Sequence, residues 1–361
     1  MKTSAKESAP DLTVVGREEM QDVIARALIV HGASEENAAV QAASLVEGQM
    51  RGHASHGVRR LAVLVGRMRK GLIEPNARPQ LDWLTPSVLR VDGNRGFGPV
   101  VAYQAIDAVV ARAEETGVAM AAISNSSHIG MLAPYVESIA LRGQVALLLT
   151  TSEALVHAWG GRGATVGTNP IGIGVPTGGD PLVLDMSTAQ VSMGKILDYA
   201  ATGRPLPSGW AVDALGNPTS DAAAAAQGGA LSPFGGPKGY ALGIALEALV
   251  GTLTATAFGA DVVGTLDTDF PATKGDLLIC VSLERLGLLG MLPALTAYLD
   301  TVRDSAATGG VDIPGDRARR TKEMNDAHGV PVDEEVWALA LKYAALKYGH
   351  SNKQPLNTRK G

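Results

Sequence analysis

From about residue 88 onward, short apolar runs alternate with longer segments of helical periodicity. Four of these runs have the length and character of buried strands: 118–124, 145–151, 182–186 and 277–283. A chain in which strands alternate with helices builds a sheet covered by helices. The sequence therefore predicts an α/β fold in which residues 87–324 form the domain that contains the sheet.

The first 86 residues instead show helical patterns and are expected to form a helical domain. Residues 17–30 are periodic, and Ser34 can cap a second helix that runs to about residue 50. A third helix is expected to begin after Ser55-His56-Gly57. Residues 325–350 should pack back on this domain, and the polar segment 351–361 reads as a disordered tail.

Composition excludes several classes of protein. Hydrophobic residues make up 46% and charged residues 19% of the chain, with a net charge of −5, which is not the profile of a disordered protein. An isoelectric point of about 5.8 argues against a nucleic-acid partner. The single cysteine, Cys280, lies in an apolar run and excludes a disulfide framework or a Cys-rich zinc site.

No segment predicts a membrane partner. The apolar stretches 240–260 and 277–295 carry charges at Glu247, Glu284 and Arg285, so we interpret them as a buried core helix and a buried strand. The first ten residues lack the apolar region of a signal peptide. We therefore expect a cytoplasmic protein.

Three further segments are rich in small residues. The alanine run 222–226 is interpreted as a surface helix without function. Segments 160–180 and 203–221 are dense in Gly, Thr and Pro, and long irregular segments of this kind often build a site.

The usual nucleotide-binding fingerprints are absent. At each candidate G-x-G-x-x-G the third glycine is replaced, by Val101, Val166 or Thr177. Gly194-Lys195 is followed by Ile196, which does not match a P-loop. A nucleotide that binds this chain must therefore bind by another architecture.

Histidines offer two interpretations. His53 and His56 are three residues apart, but a zinc site needs further ligands, for which His128 and His157 are the only obvious candidates. The spacing does not define a complete ligand set, and we expect no metal. Alternatively, His56 is an acid/base group at a helix end that attracts an anion, with Arg60 one turn further able to hold a carboxylate.

Spacing alone leaves these roles open. Ser55 could simply cap the helix, with His56 and Arg60 in solvent. His128 follows a predicted strand, where ligands bind in α/β domains, and could be a second acid/base, a hydrogen-bonding group for a ligand, or a helix cap.

Together, seven motifs spread over residues 12–350 make the chain resemble the malate/L-lactate dehydrogenase family. That family contains NAD(P)-dependent oxidoreductases without the Rossmann fold, including sulfolactate and ureidoglycolate dehydrogenases and Δ1-piperideine-2-carboxylate reductases. The motifs, in order, are Ser55-His56-Gly57-Val58 with Arg60, 125–130, Gly167-Thr168-Asn169-Pro170, 184–188 with Gly194-Lys195, 209–213, 235–240 and Ile313-Pro314-Gly315-Asp316.

The resemblance implies a cofactor domain with a largely antiparallel sheet, a helical domain from the N-terminus and the chain end, and a homodimer. It implies that NAD or NADP is the cofactor, that His56, oriented by Ser55, or His128 moves the proton, and that Arg60 and Lys195 bind a small carboxylate substrate. The residues that match cofactor-contacting stretches are His128, Ser152, Thr168, Asn169, Pro170, Asp185, Met186, Ser187, Lys238, Gly315 and Asp316.

Two departures from the family pattern bear on the substrate. Many members carry Tyr where this chain has Leu64, so one hydrogen bond to the substrate is expected to be missing. Imine-reducing members carry Asp at the position of Lys195, so the lysine favours a 2-hydroxy acid/2-oxo acid pair. A cyclic-imine reductase on the same scaffold is the first alternative, followed by a His-ligated metal hydrolase and a non-catalytic binding protein.

Overall fold

The computed structural model describes residues 11–306 and 308–345. The proposed tail, 351–361, lies outside these residues. The helices are α1 Arg17–Val30, α2 Glu35–Met50, α3 Arg60–Arg69, α4 Gly98–Thr116, α5 Ala133–Ala140, α6 Met193–Ala201, α7 Ala222–Ala226, α8 Pro237–Thr254, α9 Leu292–Arg303, α10 Asp316–His328 and α11 Glu334–Ala345. The strands are β1 Leu12–Val15, β2 Gln80–Thr85, β3 Val88–Asp92, β4 Val118–Ser124, β5 Gln144–Thr150, β6 Ala154–His157, β7 Ala164–Gly167, β8 Ile171–Val175, β9 Leu182–Met186, β10 Ala211–Val212, β11 Pro218–Thr219, β12 Ala230–Leu231, β13 Asp276–Ser282 and β14 Val330–Asp333.

The N-terminal helices share one apolar core with the end of the described chain. Ser34 caps α2 as expected, its Oγ accepting the Asn37 N–H at 3.2 Å. Strand β1 pairs antiparallel with β14, and Trp337 of α11 packs into the same core as α1, α2 and α3. Burial of this shared apolar surface joins the two ends of the chain.

The third helix begins later than the sequence predicts. Ser55 and His56 lie on a single 3₁₀ turn, Ala54–His56, and the α-helix starts only at Arg60. Ser55 does not cap α3, because the residue before the helix is Arg59 and no side chain caps it. His56 is therefore presented by a tight turn instead of the helix itself.

The predicted strands 118–124, 145–151, 182–186 and 277–283 are confirmed and join one seven-stranded sheet. Its strand order is β2-β3-β4-β13-β5-β8-β9. Only β3 and β4 run parallel, and the other neighbours are antiparallel. Strand β2 precedes the expected boundary at residue 86, yet it belongs to this sheet through its pairing with β3.

Helices cover both faces of the sheet. Helices α4 and α5 bury side chains against one face, where Cys280 lies. On the other face Leu246 and Val250 of α8 contact Leu149 and Leu277. Successive residues of a strand point to opposite faces, so β13 contributes to both layers.

A smaller sheet, β11-β10-β12-β6-β7, corrects two expectations. Segments 160–180 and 203–221 are not irregular throughout, because they contain β7, β10 and β11 of this sheet and β8 of the larger one. The alanine run α7 is also not a pure surface helix. Its Ala222 and Ala225 are buried in the core of this sheet, since a small side chain lets the helix pack closely.

The expectation of a buried core helix at 240–260 is wrong for one face of α8. Its Leu246 and Val250 face the sheet, whereas the apolar side chains Leu242, Ile244, Leu249 and Leu253 are exposed. A helix that is apolar all round can bury only the face that meets the sheet. Among the described residues, none of the helices combines the length and apolarity required to span a bilayer.

Candidate active site

His56 and His128 come together in one cavity although 71 residues lie between them in the sequence. Their rings are stacked, with centroids 5.6 Å apart and planes at 25°. The cavity lies between the N-terminal helices and the segments after β4 and before β13. Its lining comprises Gln41, Ser44, Leu45, His56, Arg60, Val63, Leu64, Arg67, Ser127, His128, Gly130 and Thr265.

Glycine permits the tight turn that presents His56. A Cβ at Gly57 would lie 2.1 Å from Oε1 of Gln49, and a Cβ at Gly48 would lie 2.7 Å from the His56 carbonyl oxygen. The same Gln49 oxygen accepts the Val58 N–H at 3.3 Å. The turn therefore sits directly against α2, with no room for a side chain between them.

The surroundings of His56 keep its imidazole neutral. Its Nδ1 lies 3.1 Å from Ser55 Oγ, as expected if Ser55 orients the ring. Burial, together with the positive charges of Arg60 and His53, lowers the pKa of His56 to about 4. At neutral pH the ring can therefore accept a proton.

His128 is held in one tautomer by the backbone. Its Nδ1 accepts the Gly130 N–H at 3.1 Å. An amide N–H can only donate, so Nδ1 carries no proton and, in the neutral ring, Nε2 carries it. Burial and the neighbouring charge of Arg60 hold the pKa of His128 well below its usual value. His128 therefore offers an N–H donor.

Arg60 is a half-buried cation beside the two histidines. Its Nη2 donates to the Thr265 carbonyl oxygen, and burial lowers its pKa to about 10, against the opposing effect of Glu153. The guanidinium remains charged at neutral pH. This is the arrangement in which a carboxylate is bound most strongly.

One loop supplies the carbonyl groups that hold the arginines, and Glu153 holds that loop. Oε1 of Glu153 accepts hydrogen bonds from the N–H groups of Thr265 and Leu266, each at 2.7 Å, and from the Thr265 hydroxyl at 3.1 Å. Arg67 Nη1 donates to the Asp267 carbonyl oxygen at 2.8 Å. Residues 264–270 thus contact both Arg60 and Arg67 of α3, and we call them the arginine-holding loop.

Several residues matched to cofactor-contacting stretches interlock around the turn at 167–170. Ser152 Oγ accepts the Thr168 N–H at 2.9 Å, and Asn169 Oδ1 accepts the Ser152 N–H at 3.3 Å. Asn169 is fully buried, with φ +33°. Pro170 follows at the start of β8, and its carbonyl oxygen accepts the Thr150 N–H.

The sequence reasoning missed the residue that organises this turn, Glu247 of α8. Its Oε2 accepts the Gly167 N–H at 3.0 Å and the Asn169 side-chain N–H at 2.8 Å, and its Oε1 accepts the Gly259 N–H. The sequence feature that could have revealed Glu247 is that it is the only acidic residue in a largely apolar helix. Such a residue is buried only where donors surround it.

A second group of the matched residues lies along β9. Met186 pairs with Ile171, which places Asp185, Met186 and Ser187 beside the 167–170 turn. Asp185 Oδ2 accepts the N–H groups of Leu132 and Ala133 at 2.7 and 2.8 Å. This carboxylate thus anchors the start of α5.

Gly315 and Asp316 lie against the beginning of β9. A Cβ on Gly315 would lie 3.3 Å from Val183. The Asp316 carboxylate is already bound by Arg303 and Arg319 and by the Ile313 N–H. A cofactor contact at this turn would therefore use the backbone.

The two lysines lie at helix starts. Gly194 of α6 lies against Ser55, since its Cβ would be 3.5 Å from the serine Cβ. This places the first turn of α6, with the exposed Lys195 over the Trp210 ring at 5.3 Å, next to the His56 turn. Lys238 is exposed on the first turn of α8, directly after Gly235 and Gly236, both with positive φ.

His157 was one of the candidate ligands of the metal interpretation. His157 lies in β6 with its Nδ1 2.7 Å from the Ala158 carbonyl oxygen, and it is not among the residues that line the cavity. Over 11–306 and 308–345, no three or more His, Cys, Asp and Glu side chains are grouped so as to hold a metal ion.

Two other buried groups near the cavity were also missed. Lys274 is paired with Asp276, and its Nζ lies 3.3 Å from Ser126 Oγ, in the segment that precedes His128. Arg67 is seven residues after Arg60, a spacing that places two helical side chains on one face and could have revealed it.

Comparison with known proteins agrees with the resemblance seen in the motifs. A model of the malate/L-lactate dehydrogenase family matches residues 15–340. The chain belongs to the malate/L-lactate dehydrogenase family. It is therefore an oxidoreductase, as predicted.

Relatives with different substrates lie at similar distances within this family. Over 325 residues the chain is 34% identical to malate/(S)-sulfolactate dehydrogenase of Methanothermus fervidus, covering 90% of this chain and 95% of the relative. Over 334 residues it is 36% identical to a Δ1-pyrroline-2-carboxylate/Δ1-piperideine-2-carboxylate reductase of Pseudomonas putida, covering 91% and 97%. A solved dehydrogenase from Sinorhizobium meliloti superposes with a TM-score of 0.88 at 42% identity, covering 93% of this chain and 99% of the other.

Proposed function

We propose that this enzyme interconverts a small 2-hydroxy acid and its 2-oxo acid with NAD or NADP. The observation that carries the proposal is the cavity in which two stacked imidazoles, His56 and His128, lie beside the guanidinium of Arg60. This set provides a proton acceptor, an N–H donor and a carboxylate-binding group within reach of one small molecule. A 2-hydroxy acid needs all three.

His56 is proposed as the residue that moves the proton. During oxidation of a hydroxyl group its neutral ring accepts the hydroxyl proton, and during reduction it returns that proton. Ser55 can donate its hydroxyl hydrogen to Nδ1 or accept from it, so the ring can change protonation state without losing its partner. His128 lacks that freedom, because the Gly130 N–H requires its Nδ1 to accept.

His128 is instead proposed to orient the substrate oxygen. With its proton on Nε2, it can donate a hydrogen bond to the carbonyl oxygen of a 2-oxo acid. Arg60 binds the C1 carboxylate, which brings the reacting carbon beside both rings. Lys195 follows Gly194, which lies against Ser55, and it is proposed to bring a positive charge to the substrate carboxylate.

The residues around the 167–170 turn fit a nicotinamide cofactor. The fit rests on open backbone at Gly235, where a Cβ would meet nothing within 4 Å, and on the exposed Lys238 at the N-terminus of α8, a combination suited to phosphate groups. When bound, nicotinamide supplies or accepts the hydride. Ser152, Thr168, Asn169, Pro170, Asp185, Met186, Ser187, Gly315 and Asp316 are proposed to shape the remainder of this site, together with His128.

The sheet between β2 and β9 is proposed as the cofactor domain without Rossmann topology, and residues 1–86 with 325–350 as the helical domain. The homodimer and the cytoplasmic location expected from the sequence stay predictions.

Reduction of a cyclic imine is the second candidate, favoured by the 36% identity to the Pseudomonas putida reductase. Initial rates with pyruvate, oxaloacetate, sulfopyruvate and Δ1-piperideine-2-carboxylate, each with NADH and NADPH, separate the two functions and assign the cofactor. Turnover confined to the imine would refute the proposal.

His56→Ala tests the assignment of the proton-moving residue. We expect a fall in kcat of about 10²–10⁴-fold with cofactor binding retained, because positioned acid/base catalysis contributes about that much. His128→Ala is the matched comparison and should mainly raise the KM for the 2-oxo acid. If the His56 variant keeps most of its activity and the His128 variant does not, the two roles are exchanged.

A further inference from the structure

Arg67 brings a second guanidinium group to the cavity that contains Arg60. Seven residues of α-helix correspond to about 10 Å along the axis and a rotation of almost two full turns, so both side chains leave α3 on one face. Both line the same cavity. The proximity is also electrostatic, because Arg60 and Arg67 each lower the pKa of His128.

Arg67 is completely buried yet only partly satisfied. Its exposed fraction is 1%. Its Nη1 donates to the Asp267 carbonyl oxygen, and the nearest carboxylate oxygen in an ion pair, Asp267 Oδ1, is 4.0 Å from that atom. Among the described residues, Nε and Nη2 are buried and find no hydrogen-bond partner.

The unsatisfied atoms form a binding edge. Nε and Nη2 lie on one side of a guanidinium and are the pair that grips an anion through two parallel hydrogen bonds. A buried charged group without such a partner is costly, so the arrangement indicates a ligand that completes it. Oε1 of Gln41, which also lines the cavity, is likewise buried without a partner.

Asp267 does not serve as that partner. Its Oδ1 accepts the N–H groups of Asp269 and Phe270 at 2.7 and 3.0 Å, and its Oδ2 accepts the Gly264 N–H at 2.8 Å. The carboxylate therefore stabilises the arginine-holding loop and does not pair with Nε or Nη2 of Arg67. Because His56 and His128 are neutral, the positive charge on the cavity lining comes from the two arginines.

We infer that Arg67 binds a second anionic group on C3 of the substrate, a carboxylate or a sulfonate, while Arg60 binds the C1 carboxylate. The inference rests on the proposed function, since it deepens the description of the same site. It assigns Arg67 as the residue that selects dianionic 2-oxo acids over those with an uncharged side chain. Leu64 lies between the two arginines and provides no competing polar group.

The experiment compares kcat/KM for substrates of similar size. Oxaloacetate and 3-sulfopyruvate carry the second anion, whereas 2-oxobutyrate places a methyl group there and pyruvate nothing. We expect the wild-type enzyme to prefer both dianions over 2-oxobutyrate by at least about 100-fold, because a site built for a polar group strongly rejects an analogue that lacks it. The relative rates of oxaloacetate and 3-sulfopyruvate show which anion fits better.

Arg67→Met should reduce that preference to within a few-fold, because kcat/KM should fall far more for the two dianions than for 2-oxobutyrate. Arg67→Lys keeps the charge but loses the two-pronged edge, so an intermediate preference is expected. Arg69→Met is the matched control, because Arg69 is on the same helix but does not line the cavity. It should behave as wild type.

Several results would overturn the assignment. If Arg67→Met lowers activity equally with all four substrates, Arg67 only anchors the arginine-holding loop. If the wild-type enzyme prefers pyruvate or 2-oxobutyrate, the inference fails while the proposed function stands. If only a cyclic imine is reduced, both fail. Should the Met variant not fold, the wild-type preference and the Lys variant decide the matter.

Discussion

Replacing Glu247 with alanine should destabilise the protein by about 3–4 kcal/mol. The change removes the acceptor for three N–H donors, those of Gly167, Asn169 and Gly259. The Gly167 and Asn169 donors are buried, and each costs about 1–3 kcal/mol when left unsatisfied. Gly259 is partly exposed, so water can replace its partner at little cost.

Glu247→Gln separates the loss of charge from the loss of the acceptor. The amide keeps the volume and one acceptor oxygen but places an NH₂ group against a donor, so we expect about 1–2 kcal/mol. Glu114→Ala is the matched control, since Glu114 is an exposed helical glutamate. Its effect should stay within about 0.5 kcal/mol.

Urea unfolding followed by circular dichroism measures these free energies, and steady-state kinetics measures the consequence for the site. Because Glu247 holds the 167–170 turn, Glu247→Ala should raise the KM for the cofactor more than the KM for the 2-oxo acid. A destabilisation below about 1 kcal/mol would refute the reasoning. It would mean that the buried donors find other partners once the carboxylate is removed.

Three further predictions concern pH, a buried ion pair and assembly. Because the pKa of His56 is about 4, its ring is neutral from pH 5.5 to 8, and kcat/KM for oxidation should be flat over that range. Reduction needs the protonated ring, so its kcat/KM should fall about tenfold per pH unit. A break near pH 6.5 in either profile would contradict this. Lys274→Met leaves Asp276 buried without its cation and should lower the free energy of unfolding in urea by about 3–5 kcal/mol. The double variant Lys274→Met/Asp276→Asn should regain much of that stability. If it does not, the lost stability does not come from the unpaired carboxylate. If the exposed apolar side chains of α8 form the expected dimer interface, Leu249→Glu should shift the sedimentation coefficient from dimer to monomer, and an unchanged dimer would exclude this face.

Local patterns in the sequence were reliable where a structural element depends on its own residues. The strand at 118–124 and the cap at Ser34 were predicted, because strand length and side-chain caps are encoded within a few positions. The start of the third helix was not, since the 3₁₀ turn at Ala54–His56 depends on its packing against Gly48 and Gln49. The exposed face of α8 could not be predicted either, because the segment is apolar on every side and its sequence does not show which side meets the sheet.

By itself the sequence determined the family and oxidoreductase class, and it singled out His56, His128 and Arg60 as candidate site residues, because motifs and short spacings are written along the chain. Only the tertiary structure decided that His56 and His128 stack, that the Gly130 amide sets the His128 tautomer, and that Nε and Nη2 of Arg67 are buried without a hydrogen-bond partner. These features depend on contacts between distant segments, such as Arg67 with the carbonyl of Asp267, 200 residues away. Burial and missing hydrogen-bond partners appear only when the chain has folded, so no local pattern in the sequence reveals them.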